Sequence, residues 1–382
     1  MKKAEYLFKQ QQNSLRDPLE VVSASWQKAG IFPESLKYNV SDEFVQLLKK
    51  LNITLYVSRE YENLLLSLNV TNNVFEQGCF PLPHPSGIAV NKENNSLYVA
   101  STRNPNQIIE FSPSDTLGKG RIIAFPSRIK FYSGSFYFHD LAIIKNQLYA
   151  NSVGQNGIIQ IDMNSPKTES LMWWPLCVEK KSGTPDISAN HIQLNSIAAG
   201  GTFEKSFFTA SGCSIGRRKP GHKNYPVNKT GVVISAKTRE VIATGLSRPH
   251  SAKQYKGRIW LDNSSYGEFG YLEKNKFQVL QNLPGWTRGL CIIDNIAFVG
   301  VSRVLPRFAD YAPGLKGLKK QRCGIVAVDL KSGYISGSIF WPYGNQIFGI
   351  ESAKNHSTGV LLYSGINKIP ESQKQFYFNY KI

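Results

Sequence analysis

Hydrophobic residues follow a helical period only near the start of the chain and a strand-like period over most of the remainder. In "SDEFVQLLKKL" (41–51) the apolar residues recur at i, i+3, i+4 and i+7, behind a serine that can cap the helix and two acidic residues in the first turn. This pattern predicts a helix, and a second short helix is predicted over 17–30. From residue 53 onwards, short alternating segments separated by Gly, Asn and Pro turns indicate β-strands.

The strand-like segments repeat. Six of them begin with a small or polar residue followed by a short apolar run, and each is followed after a turn by a second strand and often by a third. The unit is roughly fifty residues long, which is typical of repeat architectures. The first strands of the six units are "HPSGIAV" (84–90), "HDLAII" (139–144), "LNSIAAG" (194–200), "PHSAKQY" (249–255), "TRGLCII" (287–293) and "IFGIES" (347–352).

Such a unit has an apolar face that it cannot bury alone, and radial stacking of four-stranded blades solves this problem. We therefore predict an all-β, six-bladed β-propeller over 53–382, with a helical N-terminal extension over 1–52. The strand pair at 53–68 either completes the last blade and closes the ring or belongs to a seventh blade. The C-terminal "QFYFNYKI" (375–382) is predicted to be an outer strand.

In a propeller the first strand of each unit lines the central channel, so the residue before its apolar run is expected at the channel mouth. Ligands of propellers usually bind there. Several other polar residues lie within a few positions of this column, namely His84, Asp140, Gln193, Asp262, Asn263, Arg303 and Glu351. The column itself consists of Ser86, His139, Asn195, His250, Arg288 and Phe348.

This column predicts a site for a small polar, anionic ligand. We assign catalytic roles to His139 and His250, as acid/base groups of a lyase, isomerase or hydrolase, and to Arg288, as the holder of negative charge. Because a buried arginine needs an anionic partner, Glu351 is the alternative partner within the protein. The predicted ligand-binding residues are Asn195, Gln193, His84, Asp140, Asn263, Arg303 and Glu351.

Two other functions stay open. A non-catalytic scaffold would hold a protein or carbohydrate partner through the basic loops 216–223 and 314–322. A metal-dependent enzyme would use His139 and His250 together with a carboxylate, but two histidines make a sparse ligand set for a divalent metal. No cofactor is indicated by any other motif.

The composition of the chain bears on its partners and its location. The net charge is +18, but the basic residues are spread out and accompany no nucleic-acid motif, so specific nucleic-acid binding is not predicted. No apolar run is long enough to cross a membrane, and the basic first residues precede no apolar core of a signal peptide. The five cysteines are scattered and odd in number, which indicates reduced thiols in a cytoplasmic protein.

Four motifs carry a resemblance to a known family. The chain from 53 to about 352 resembles a widespread bacterial family of conserved hypothetical proteins, sometimes associated with tetratricopeptide repeats, to which no activity is assigned. The resemblance implies a β-propeller. The matching motifs are "HDLAI" (139–143), "SRPHSAKQYKGRIWLDNS" (247–264), "LPGWTRGLCIIDNIAFVGVSR" (283–303) and "RCGIVAVDLKSG" (322–333).

The sequence departs from this family at one element. The family's usual C-H-L-N-G appears here within "HIQLNSI" (191–197). Gln193 therefore stands where the family has histidine and Ser196 where it has glycine, while Asn195 is retained. If the family's histidine is catalytic or a ligand, the resemblance implies an altered role in this chain, and His191 would replace it only if the loop shifts.

Overall fold

The computed structural model describes residues 33–103, 106–114, 122–216, 220, 225–318, 321–354 and 360–361. Within them, six antiparallel sheets form the blades of a propeller. Four strands make up the first blade from the axis outward, namely β24 (Gly349–Lys354), β2 (Ile53–Arg59), β3 (Leu64–Thr71) and β4 (Val74–Pro81).

The next two blades follow along the chain. The second contains β5 (Pro85–Val90), β6 (Leu97–Ser101), β7 (Asn106–Ser114) and β8 (Ile123–Tyr132), with β25 (Val360–Leu361) parallel to β8 at its outer edge. The third contains β9 (Phe138–Ile144), β10 (Gln147–Ser152) and β11 (Gly157–Ile161).

Three blades complete the ring. The fourth contains β12 (Leu194–Ala198), β13 (Phe207–Ala210), β14 (Gly231–Ser235) and β15 (Val241–Leu246). The fifth contains β16 (Pro249–Tyr255), β17 (Arg258–Asn263), β18 (Glu268–Glu273) and β19 (Lys276–Asn282). The sixth contains β20 (Trp286–Ile293), β21 (Ile296–Ser302), β22 (Gly324–Asp329) and β23 (Ile335–Phe340), with β1 (Asn39–Val40) outside β23.

The ring closes by pairing the two ends of the propeller in one blade. Strand β24 is the innermost strand of the blade whose outer strands are β2, β3 and β4. The inner strands contact one another in the order β24, β5, β9, β12, β16, β20 and back to β24. The prediction of six blades is therefore confirmed, and the pair at 53–68 completes the last blade rather than starting a seventh.

The predicted helix near the start of the chain is present as α1 (Asp42–Leu51). The Ser41 hydroxyl accepts a hydrogen bond from the Phe44 N–H at 3.3 Å, which caps the helix. The side chains of Phe44 and Leu48 are fully buried against the first and sixth blades. The division at residue 52 stays a prediction, and the predicted elements at 17–30 and 375–382 lie outside the described residues.

The cysteine prediction is wrong for one pair. Cys177 and Cys213 form a disulfide between segments 36 residues apart, whereas Cys79, Cys291 and Cys323 are free and buried, as predicted. Sequence alone does not reveal this pair, because the loops that carry the two cysteines meet only when the third and fourth blades are packed. The argument from reduced thiols for a cytoplasmic location therefore fails for these two residues.

Candidate ligand site at the axial mouth

A β-bulge interrupts the inner strand in five of the six blades. A bulge adds one residue to one strand of a pair and turns side chains there in a new direction. Backbone φ values of +55° at Ser251 and +91° at Gly289 mark two of these bulges. The bulges coincide with the polar column that precedes each apolar run. They explain why these polar side chains stay out of the apolar layers that pack between blades.

The inner strands approach one another closely at the same level. A Cβ atom at Gly87 would lie 2.4 Å from the Cα atom of Asp140, so only glycine fits there. Small polar side chains then link each blade to the next. The six links are Ser58 Oγ to Ser86 O (2.5 Å), Ser86 Oγ to Phe138 O (2.7 Å), Asn151 Nδ2 to Leu194 O (2.9 Å), Asn195 Nδ2 to Pro249 O (2.9 Å), Gly289 N to Ser251 Oγ (2.7 Å) and Ile347 N to Ser302 Oγ (2.9 Å).

Two predicted ligand-binding residues belong to this system of links between blades. The Asn195 amide nitrogen donates to Ser211 Oγ at 3.1 Å as well as to Pro249 O. The two carboxylate oxygens of Asp140 accept from the Leu141 N–H at 3.0 Å and from the Ile197 N–H at 2.9 Å. Both side chains therefore hold neighbouring inner strands together.

The three predicted catalytic residues meet at the axis. The rings of His139 and His250 lie with their centroids 6.1 Å apart, and both pack edge-on against Phe348, at 5.3 and 5.7 Å. The Arg288 guanidinium lies over the face of Phe348, 3.4 Å from the ring centroid. Its Nε donates a hydrogen bond to His250 Nε2 at 3.1 Å.

These contacts define the protonation of His250. Because Nε2 accepts a hydrogen bond from Arg288, the ring proton sits on Nδ1, which donates to Ser251 Oγ at 2.9 Å. Burial lowers the pKa of His250 well below its usual range, and Arg288, His139 and Arg248 lower it further. His250 is therefore a neutral imidazole at neutral pH.

His139 is neutral for the same reasons. Burial lowers the pKa of His139 well below its usual range, and Arg288, Arg248 and Arg103 add to the effect. The Gln193 amide nitrogen lies 3.4 Å from His139 Nε2, while its oxygen accepts from the Asn190 side chain at 2.8 Å. Gln193 thus contacts His139 directly.

The carboxylate nearest to Arg288 comes from Glu60, not from Glu351. Glu60 Oε2 lies 4.0 Å from Arg288 Nη1, and Glu60 Oε1 lies 3.2 Å from Arg103 Nη2. His84 lies beside this pair, and burial lowers its pKa to about 4 although Glu60 opposes the shift. Sequence analysis missed Glu60 and Arg103, because neither lies in the repeated column.

Glu351 instead belongs to a second polar layer of the channel. Its Oε2 lies 2.9 Å from the Lys253 ammonium, and its Oε1 accepts from the Ser352 N–H at 3.1 Å. Burial raises the pKa of Asp140 to about 6, although Lys253 opposes the shift. A narrow cavity between the two layers is lined by His139, His250, Phe348, Asp140 and Lys253, among others.

Two predicted ligand-binding residues lie away from the axis. The Asn263 amide accepts from the Ser247 N–H at 2.7 Å and donates to Glu268 at 2.7 Å, at the C-terminal end of β17. The Arg303 guanidinium donates to Pro342 O at 2.5 Å. The structure does not bring either residue to the axial cluster.

Among the described residues, no three His, Cys, Asp or Glu side chains are grouped so that they could hold a metal ion. In the same part of the chain, no helix is long and apolar enough to cross a membrane.

The closed ring of six sheets and its polar axial mouth define a six-bladed β-propeller. The chain belongs to the family described as Domain of unknown function (DUF4915), whose model matches residues 42–360. This match confirms the resemblance to a propeller family without an assigned activity. No curated protein matches the sequence at a significant level.

Three solved structures are similar to the chain at low sequence identity. A chain from a nidogen–laminin complex is 11% identical, with a TM-score of 0.53 over 79% of this chain and 98% of that chain. A streptogramin B lyase is 16% identical over 69% and 74% of the two chains, with a TM-score of 0.39. A gluconolactonase from Xanthomonas campestris is 12% identical over 76% and 86%, with a TM-score of 0.41. Only the first of them has a TM-score above 0.5, and that similarity concerns the fold alone.

Proposed function

We propose that the axial mouth binds a small anionic ligand, with Arg288 as the group that holds its negative charge. One observation carries this proposal: the Arg288 side chain is 13% exposed, and its guanidinium is fixed by His250 and Phe348 and has its nearest carboxylate at 4.0 Å. A direct ion pair is shorter and better aligned than this contact. A bound anion would accept from Arg288 the charge-assisted hydrogen bonds that Glu60 does not accept from it.

The imidazoles of His139 and His250 support acid/base chemistry on the bound ligand. The neutral rings of His139 and His250 lie beside each other, and both pack against Phe348. They would therefore act on a bound ligand as hydrogen-bonding groups and proton carriers. Proton transfer is the chemistry that such a pair supports best, and lyases, isomerases and hydrolases acting by acid/base catalysis use it. Arg288 would stabilise negative charge on the reacting group.

The binding proposal is tested with Arg288→Gln and Arg288→Lys. We expect the wild type to bind small organic anions and inorganic phosphate in calorimetric titrations. The glutamine variant should lose at least about tenfold in affinity, since a charged hydrogen bond to a ligand contributes about 1.5–3 kcal/mol. The lysine variant should retain part of the binding because it keeps the charge. Arg258→Gln is the matched control, because Arg258 also stacks on an aromatic ring (Tyr271) but lies on the surface.

Two results would contradict the proposal. One is wild-type protein that binds none of these anions, and the other is binding that Arg288→Gln leaves unchanged in a protein that still folds. If changes in the basic loops 216–223 or 314–322 abolished capture of a partner while changes at Arg288 did nothing, the interaction scaffold would be the better account.

Anion binding should also depend on pH. A bound anion raises the pKa values of His139 and His250, which burial and the neighbouring arginines hold low in the free protein. Binding is therefore accompanied by proton uptake, and affinity should rise by up to about tenfold per pH unit per histidine as the pH falls below the pKa of the complex. Titrations in buffers of different ionisation enthalpy measure the protons taken up. A value of zero throughout pH 5–8 would contradict a role for the two imidazoles.

A further inference from the structure

In the part of the chain that the structure describes, three arginines lie around the axial mouth, and one carboxylate, that of Glu60, pairs with them. Arg103 and Arg288 share Glu60, at 3.2 and 4.0 Å. Arg248 makes no ion pair with a carboxylate of the described residues. With the two histidines neutral, the cluster of Arg103, Arg248, Arg288 and Glu60 carries a net charge of two positive units.

The surroundings of Arg248 do not compensate its charge. Its guanidinium lies 4.9 Å from the ring centroid of Tyr311 and 5.9 Å from that of Trp286. Aromatic faces attract a cation through their quadrupole but carry no net negative charge. Burial lowers the pKa of Arg248 although Tyr311 and Tyr225 oppose the shift. An uncompensated guanidinium in such a place is costly to keep.

The arginines also act on one another. Burial lowers the pKa of Arg288 to about 9 and Glu60 opposes the shift, while Arg248 and Arg103 lower the value further. Arg248 lowers the pKa values of both His139 and His250 as well. Geometry places Arg248 on the same side as these groups: it directly precedes β16, two residues before His250, and it lies over Trp286, which begins β20 two residues before Arg288.

We propose that the ligand of the axial mouth carries two negative charges and that Arg248 holds the second of them, while Arg288 holds the first. This inference rests on the proposed function and adds the charge class of the ligand. A dianion would bring the net charge of the cluster to zero, whereas a monoanion would leave one guanidinium unpaired. Small dicarboxylates and phosphate monoesters share this chemistry, with the charges on two groups or on one.

The charge class is tested by comparing matched ligands. Succinate and butyrate have the same number of carbons but differ by one carboxylate, and inorganic phosphate supplies both charges on one group. At pH 8 and constant ionic strength, we expect succinate or phosphate to bind the wild type at least about tenfold more tightly than butyrate, since the second negative charge adds a charge-assisted contact to a guanidinium. Preference for succinate indicates two separated anionic groups, and preference for phosphate indicates a phosphoryl group.

Two variants change the charge of the cluster in opposite directions. Arg248→Gln should remove the preference for the dianion, so that succinate and butyrate bind with similar affinity. Glu60→Gln removes the only carboxylate of the cluster and should tighten the binding of the dianion severalfold. Structural damage would weaken binding in both variants, so opposite signs identify an electrostatic effect. Arg258→Gln should leave both affinities unchanged.

The outcome separates this inference from the proposed function. If Arg288→Gln abolishes anion binding while the wild type binds butyrate as tightly as succinate and phosphate, the site binds anions but the dianion inference is wrong. A preference for dianions that survives Arg248→Gln in a folded protein would likewise overturn the assignment to Arg248. If no anion binds the wild type, the proposed function itself fails.

Discussion

Replacing Asn151 with leucine is expected to lower the free energy of unfolding by about 3–5 kcal/mol, because several buried backbone groups lose their partner together. The Asn151 side chain is fully buried at the end of β10. Its Oδ1 accepts hydrogen bonds from the backbone N–H groups of His139 and Asp140, at 3.0 and 2.5 Å. Its Nδ2 donates to Leu194 O, in the inner strand of the next blade, at 2.9 Å.

Leucine has nearly the same shape as asparagine but cannot form these bonds. Two N–H donors and one carbonyl would then stay buried without a partner, and each such group costs about 1–3 kcal/mol. The bulge that carries His139 would lose its support as well. We therefore expect the variant to lose anion binding at temperatures where it is still folded.

Denaturant unfolding followed by circular dichroism measures this effect. Gln160→Leu is the matched control, because Gln160 is an exposed amide in the same blade that bonds only to the Gln147 side chain. It should change the free energy of unfolding by less than about 0.5 kcal/mol. A loss below 1 kcal/mol for Asn151→Leu, about the worth of one ordinary hydrogen bond, would contradict the bridging role.

The sequence predicted the propeller because the same short pattern of strands and turns is repeated along the chain. Each unit alternates along its strands and has one face that only a neighbouring unit can cover, so six units imply six blades. The same repetition placed His139, His250 and Arg288 in one column. Closure through 53–68 was one of two alternatives that the sequence left open, and the pairing of β2 with β24 decides between them.

The rest of the axial cluster depends on contacts that no repeat encodes. Glu60 lies in the turn after β2 and Arg103 in the turn after β6, and both reach the mouth only because the blades form a ring. Arg248 stands two residues before His250 but does not belong to the repeated column. Its proximity to His250 in the sequence was the one indication that it lies at the mouth. Asn263 was expected at the mouth, but it ends the second strand of its blade, where Ser247 and Glu268 engage its amide.

Asp262→Asn is expected to stabilise the protein relative to the wild type by an amount that grows as the pH rises, because the variant lacks an acid whose pKa burial raises. Asp262 is fully buried, and neither oxygen of its carboxyl group has a hydrogen-bond partner among the described residues. Burial raises the pKa of Asp262 well above its usual range, and the neighbouring Ser251 hydroxyl only partly offsets the shift. In the folded protein this side chain is therefore a neutral acid at a pH where the unfolded chain is ionised.

The sign follows from proton linkage. Between the unfolded pKa of about 4 and the raised folded pKa, unfolding releases a proton from Asp262, so each pH unit lowers the free energy of unfolding by about 1.4 kcal/mol. Below pH 4 both states are protonated and the term vanishes. Asparagine is neutral at every pH, and the variant should therefore become more stable than the wild type by an amount that grows with pH above 4.

Asp329→Asn is the matched control, with the opposite sign. Asp329 is half-buried at the end of β22, and hydrogen bonds from the Ser332 backbone and side chain lower its pKa. Its carboxylate stabilises the fold above the unfolded pKa, so the asparagine variant should be less stable than the wild type at neutral pH and equal to it at low pH. Unfolding curves measured from pH 4 to 8 distinguish the two cases. Parallel stability profiles for Asp262→Asn and the wild type would mean that Asp262 is ionised in the folded protein, and a cation or a donor would then have to lie against it.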